Sequence, residues 1–99
     1  MLSLDSLDQA TFTPHLNETF EMVFTDGRLP FKLAEVRALG ASNPSQARSP
    51  FALSFHGRPG LRLPQNIYRL ENATLGTMDI FLVQVADDAK ASTFEAVFN

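Results

Sequence analysis

The sequence predicts an all-β domain, a small antiparallel six-stranded barrel or sandwich with a short N-terminal helical segment. Three observations predict it. After Thr19, apolar residues recur at every second position through most of the chain, as in strands with one buried face. Turn signals separate these stretches, mostly at hairpin spacing. Seven of the nine Phe (Phe20, Phe24, Phe31, Phe51, Phe55, Phe94 and Phe98) fall on the apolar parity of their strands. Ninety-nine residues suit one domain, with 1–18 as a helical lid and 19–99 as antiparallel β. With no Cys, neither a disulfide nor a thiolate zinc site supplements the core.

Each element has a local reason. Ser6 to Gln9 fits a capping box opening a helix over Leu7–Phe12. Pro14 ends that helix by pushing Thr13 out of the α region. Thr13-Pro14 then starts a single turn, with Thr13 as cap, that closes at Asn17 in the left-handed conformation. Leu7, Phe12 and Leu16 pin the segment over the core. Phe20, Met22 and Phe24 define the first strand. Asp26-Gly27 signals a hairpin turn with positive φ at both central residues. Leu29, Phe31 and Leu33 return, and Pro30, lacking an N–H, belongs at a strand start or an edge. Apolar parity slips near Glu35-Val36, which indicates a β-bulge.

Gly40–Ser49 is a loop. Phe51, Leu53 and Phe55 then point inward, with Ala52, Ser54 and His56 outward. Arg58-Pro59-Gly60-Leu61 fits a type II turn. An extended connection leads to Tyr68 and Leu70, with Arg69 and Glu71 on the opposite face. After the turn at Asn72–Gly76, the run Met78–Val85 is apolar on both parities except at Asp79 and Gln84. Such a strand needs cover on its second face, from the lid, a second sheet or another subunit. Phe94, Ala96 and Phe98 share a face of the last strand.

The second half carries a specific resemblance. Its residues are Pro50-Phe51-Ala52-Leu53-Ser54-Phe55-His56-Gly57, Leu63-Pro64-Gln65-Asn66-Ile67-Tyr68-Arg69-Leu70-Glu71, Leu75-Gly76, Phe81-Leu82-Val83 and Glu95-Ala96-Val97-Phe98-Asn99. With Phe12–Phe20 as an opening motif, the chain resembles a small bacterial family of domains of unknown function, number 6916 in that series. It departs from the family pattern at Asn17 for Gly, at Asn72-Ala73 for His-Pro and at Gln84 for Pro. The resemblance implies a compact β fold without assigned activity. It also implies a role beside a tail-like or surface-fibre assembly, since such proteins are encoded near phage-tail-collar-like proteins.

Charge and motifs exclude several function classes. Eight Lys+Arg face eleven Asp+Glu, net −3, and the cations never form a run, which argues against nucleic acid. No apolar stretch is long enough for a transmembrane helix, and the N-terminus has no signal-peptide pattern. The expectation is a cytoplasmic chain without membrane contact, on which the sequons at Asn17 and Asn72 are chance matches. Ser54 and His56 are two apart on one strand, about 7 Å, too far for a nucleophile–base bond even with Asp79 nearby. His15 and His56 lack metal-ligand spacing, and His15 is expected to bond a local carbonyl. Glu18 with Glu21 can be read as an acid/base pair, but Asp87-Asp88 reads as a solvated turn, not a calcium loop.

No catalytic, cofactor or metal residue is therefore assigned, and the expectation is a non-enzymatic structural or protein-interaction module without cofactor. It pairs with itself or with a protein partner. Its candidate partner-facing residues are Arg58, Arg62, Arg69, Glu71 and Phe81; Arg69 and Glu71 also read as an exposed ion pair. The alternatives are a small-ligand-binding barrel with an internal cavity and, less favoured, an enzyme of unknown type.

Overall fold

The computed structural model describes residues 7–40 and 49–98. A four-residue helix α1 (Gln9–Phe12) and a 3-10 turn (Thr13–His15) precede six strands. These are β1 (Thr19–Phe24), β2 (Gly27–Ala38), β3 (Phe51–Gly57), β4 (Asn66–Asn72), β5 (Gly76–Asp87) and β6 (Ser92–Phe98). They form a closed barrel in the order β1-β2-β3-β6-β5-β4, every neighbouring pair antiparallel. The barrel resolves the choice left open between barrel and sandwich. Four connections join neighbours. The fifth, from β3 to β4, crosses one end of the barrel, because β6 and β5 lie between those two strands in that order.

Inward parity does the packing. Phe20, Phe31, Phe51, Phe55, Phe94 and Phe98 are buried with Met22, Leu33, Leu53, Leu70, Met78, Ile80 and Leu82, and Phe24 packs against them half-buried. The rings meet edge to face, Phe20 with Phe55 and Phe31 with Phe94, both at 5.3 Å between centroids. That geometry favours the positive edge of one ring against the face of the other. A six-stranded barrel is narrow, and these side chains occupy its interior.

The parity slip in β2 is a real irregularity. Leu33 opposes Phe55 and Glu35 opposes Ser54, so Ala34 is the extra residue. The bulge turns Val36 inward after Leu33 and keeps Glu35 and Arg37 outside. Pro30 pairs with Glu21 on one side, while pairing with β3 begins only at Lys32. It sits at a local edge, where the missing N–H breaks no second ladder.

The N-terminal segment closes one end. Phe12 is fully buried and its ring meets Phe20, Phe51 and Phe98 at 6.1–6.5 Å. Phe51 and Phe98 stack beneath it at 4.7 Å. Leu7 is buried alongside, whereas Leu16 is exposed. Three local expectations are corrected. The helix is capped by Asp8, whose carboxylate accepts from the Thr11 backbone N–H at 2.9 Å, while Thr11 Oγ1 accepts from the Asp8 N–H; Ser6 lies outside the described residues. Phe12, not Thr13, precedes the 3-10 turn, and the Thr13 hydroxyl donates to the Gln9 carbonyl instead. The first hairpin turns on Thr25-Asp26, since Phe24 opposes Gly27, and neither residue has positive φ. Asn17 does adopt positive φ (70°), as does Gly60 (87°) in the type II turn. Most of the Gly40–Ser49 loop, residues 41–48, lies outside the described residues.

The crossing connection closes the other end. Leu61 is buried and Leu63 packs against the core. This connection has no strand partner, so its backbone groups need others. A second bulge, between Gln84 and Ala86, brings polar side chains to the rim. The Leu63 N–H donates to Gln84 Oε1, Gln84 Nε2 donates to the Leu61 carbonyl at 2.7 Å, the Leu61 N–H donates to Ser92 Oγ and the Gly60 N–H to Asp87 Oδ1.

Two substitutions test this packing. Phe12→Ala is expected to cost about 3–5 kcal/mol, because it opens a cavity under three rings. A Cβ on Gly57 would meet the Phe31 ring at 2.6 Å and Leu61 Cδ1 at 3.0 Å. Gly57→Ala is therefore expected to cost about 1–3 kcal/mol by overpacking. Urea denaturation midpoints check both; unchanged midpoints contradict the account.

Candidate outer-wall interface

The outward positions fall into two kinds of surface. On β3, outward Ala52 and Ser54 are buried rather than solvated. Their cross-strand neighbours are Arg37 and Val97 for Ala52, and Glu35 and Glu95 for Ser54. The Arg37 guanidinium donates to Glu35 at 2.9 Å and to Glu95 at 3.1 Å, linking the strands on either side of β3. This stretch of wall is sealed by its own side chains.

The wall over β4, β5 and β6 is different. Ile67 opposes Phe81 in the β4–β5 ladder, and they are 63% and 51% exposed. On the other flank Val83 opposes Glu95, and the β5–β6 pairing ends there toward the N-terminal end of β5. Val97, 54% exposed, lies two residues farther along β6, beyond the last position paired with β5. Ile67 and Phe81 thus form an exposed apolar row across β4 and β5; outward Val83 on β5 is half-buried, and outward Val97 on the neighbouring β6 is exposed. The N-terminal segment, plugging the barrel end, leaves Phe81 exposed.

The five residues singled out from the sequence divide among several places. Phe81 is in the row. Arg69 lies beside it but pairs with Asp79 across the β4–β5 ladder, Nε to Oδ1 at 3.0 Å. Glu71 pairs with Arg28 from β2, which also reaches Glu21 at 3.6 Å. The expected Arg69–Glu71 pair is thus replaced by two others, Arg69 with its direct cross-strand neighbour Asp79 and Glu71 with Arg28, which reaches across β1 from β2. Arg69 holds the Asp79 carboxyl below its usual value. Arg58 and Arg62 belong to the crossing connection. Arg62 lies 3.6 Å from Asp87, beside an open groove of about 290 Å³ lined also by Gln84, Val85 and Ala86. Sequence reasoning missed Ile67 and Val97; only the strand order shows that their strands lie on either side of the one carrying Phe81.

The catalytic candidates stay apart. Ser54 and His56 are on β3, while Asp79 is on β5 and engaged with Arg69, so these three do not form a Ser–His–acid arrangement. His15 bonds the Glu18 carboxylate at 2.8 Å, not a carbonyl. Among the described residues, no group of three or more His, Cys, Asp or Glu could hold a metal ion. No helix among them is long and apolar enough to cross a membrane.

Glu18 has a structural task. It accepts from Asn72 Nδ2 at 3.2 Å as well as bonding His15. The buried Asn72 amide also donates to the Thr19 carbonyl and accepts from the Thr74 and Leu75 N–H groups. The β1–β4 ladder has only three register pairs, and this cluster continues the seam beyond them. The hydrogen bond with His15, then that from Asn72, holds Glu18 below its ordinary value of 4.5. A lowered folded value means that the ionised carboxylate stabilises the fold above the unfolded value and loses that contribution as pH falls through the folded one. Wild type is expected to be more stable than Glu18→Gln near pH 7, with the difference shrinking as the pH falls through and below the ordinary value of 4.5. Urea denaturation across that range checks it; a constant difference contradicts it.

No curated protein and no solved structure matches the chain. A family model does match, over residues 7–98, from the buried Leu7 of the lid to Phe98 of β6. The chain belongs to that family, described as a domain of unknown function (DUF6916).

Proposed function

We propose that this domain is a non-enzymatic protein-interaction module whose working surface is the outer wall around Ile67, Phe81 and Val97. The exposed apolar row carries the reading. Ile67, Phe81 and Val97, each more than half exposed on neighbouring strands, together expose apolar surface on the order of 300 Å², the size at which a monomer's largest apolar patch is often functional. Aromatic residues are enriched in interfaces, and Phe81 stands at the centre with ion pairs around it, a hydrophobic core with a polar rim. Among the described residues, large side chains occupy the barrel interior, which favours this reading over a ligand-binding barrel, since that needs a chamber of at least ~300 Å³. A component of a tail-like or surface-fibre assembly is the partner class implied by the family resemblance.

The test compares three immobilised baits in lysate of the source cell: wild type, Phe81→Asp and Arg58→Asp. The last alters the crossing connection, away from the row. Circular dichroism first establishes that all three are folded. A protein retained by wild type and Arg58→Asp, and lost at least about tenfold with Phe81→Asp, is the expected result. Equal retention by all three contradicts the reading.

A further inference from the structure

We infer that the occupant of this wall is a second copy of the same chain, seated by a two-fold contact across Phe81; this rests on the reading just proposed. The ladders fix the outward positions around Phe81. Along β5, Asp79 and Val83 lie two residues to either side. Arg69 stands opposite Asp79 on β4, and Glu95 stands opposite Val83 on β6. Arg69 and Glu95 are therefore at opposite corners of the patch, diagonal to each other across Phe81, and of opposite charge.

That arrangement is self-complementary. A two-fold axis in the plane of the wall, through Phe81 and perpendicular to this diagonal, lays Phe81 on its counterpart. It also lays Arg69 of each copy over Glu95 of the other. A two-fold contact requires the same patch to complement itself, and opposite charges at diagonal corners satisfy that requirement. The border is also balanced within each chain, Arg69 by Asp79 and Glu95 by Arg37. It offers no excess of one sign to a strongly charged foreign partner, and no excess that would repel its own copy. The molecule measures 41 × 28 × 23 Å, so a broad side accommodates the roughly 800 Å² per partner of a standard interface.

Sedimentation velocity of the full chain from micromolar to millimolar concentration tests the inference. Wild type is expected to dimerise. Arg69→Glu and Glu95→Arg are each expected to weaken dimerisation at least about tenfold, since each sets like charges face to face. An equimolar mixture of the two variants is expected to recover it as a heterodimer, because every corner then meets its opposite. A wild type that stays monomeric, or a dimer indifferent to both substitutions, overturns the second copy. A photo-crosslinking p-benzoylphenylalanine in place of Phe81 separates this failure from that of the underlying reading. A product of twice the chain mass supports the second copy. Crosslinks only to another protein overturn it while leaving the wall a docking surface, and no crosslink overturns both.

Discussion

Closing six strands into a barrel imposes the condition on which everything else here depends. The enclosed space is narrow, so every inward position must carry a side chain that packs, and the strands have little room for anything else. Phe20, Phe31, Phe55 and Phe94 meet inside it in edge-to-face pairs, with Met and aliphatic residues between them. With no Cys to brace it, the fold is held by this burial and by its ladders. Both bulges serve the same end. One in β2 keeps Leu33 and Val36 on the inner side, and the one in β5 brings polar side chains to the rim where an irregular segment must be bound.

A barrel has two open ends, and this chain closes both with itself. At one end Phe12 caps the stacked rings of Phe51 and Phe98. At the other, Leu61 fills the mouth while Gln84, Asp87 and Ser92 bind the backbone that carries it. The polar groups that looked available for chemistry are spent in these closures. Glu18 and His15 join Asn72 at the β1–β4 seam, and Asp79 is held by Arg69. Among the described residues, the large apolar side chains more than half exposed are Ile67 on β4, Phe81 and Val85 on β5, and Val97 on β6.

Much of the barrel was legible in the sequence because period-two alternation reports directly on which side of a strand is buried. The seven Phe on one parity, the parity slip near Glu35 and the left-handed Asn17 are all local signals. The misreadings share a cause. Ala52 and Ser54 face outward, as parity says, yet are buried, because parity says which face a residue occupies and not what its neighbours on other strands do above it. Arg69 and Glu71 share a face but do not pair with each other, for the same reason; Asp79 comes from the neighbouring β5, and Arg28 from β2, on the far side of β1. Phe81 stood out because the strand is apolar on both faces. Its companions Ile67 and Val97, separated from it by 14 and 16 positions, belong to the site only once the strand order is known.

The proposed working surface lies on the outside of the barrel, where Ile67 and Phe81 are exposed side by side among the described residues. The most direct measurement is a dilution series of amide chemical shifts by NMR on the isotope-labelled chain. The account predicts concentration-dependent shifts centred on Ile67, Phe81 and Val97 and their strand neighbours, with interior residues such as Phe20, Phe55 and Phe94 unmoved. Shifts centred on the barrel ends, or a wall that does not respond at any concentration, would contradict it.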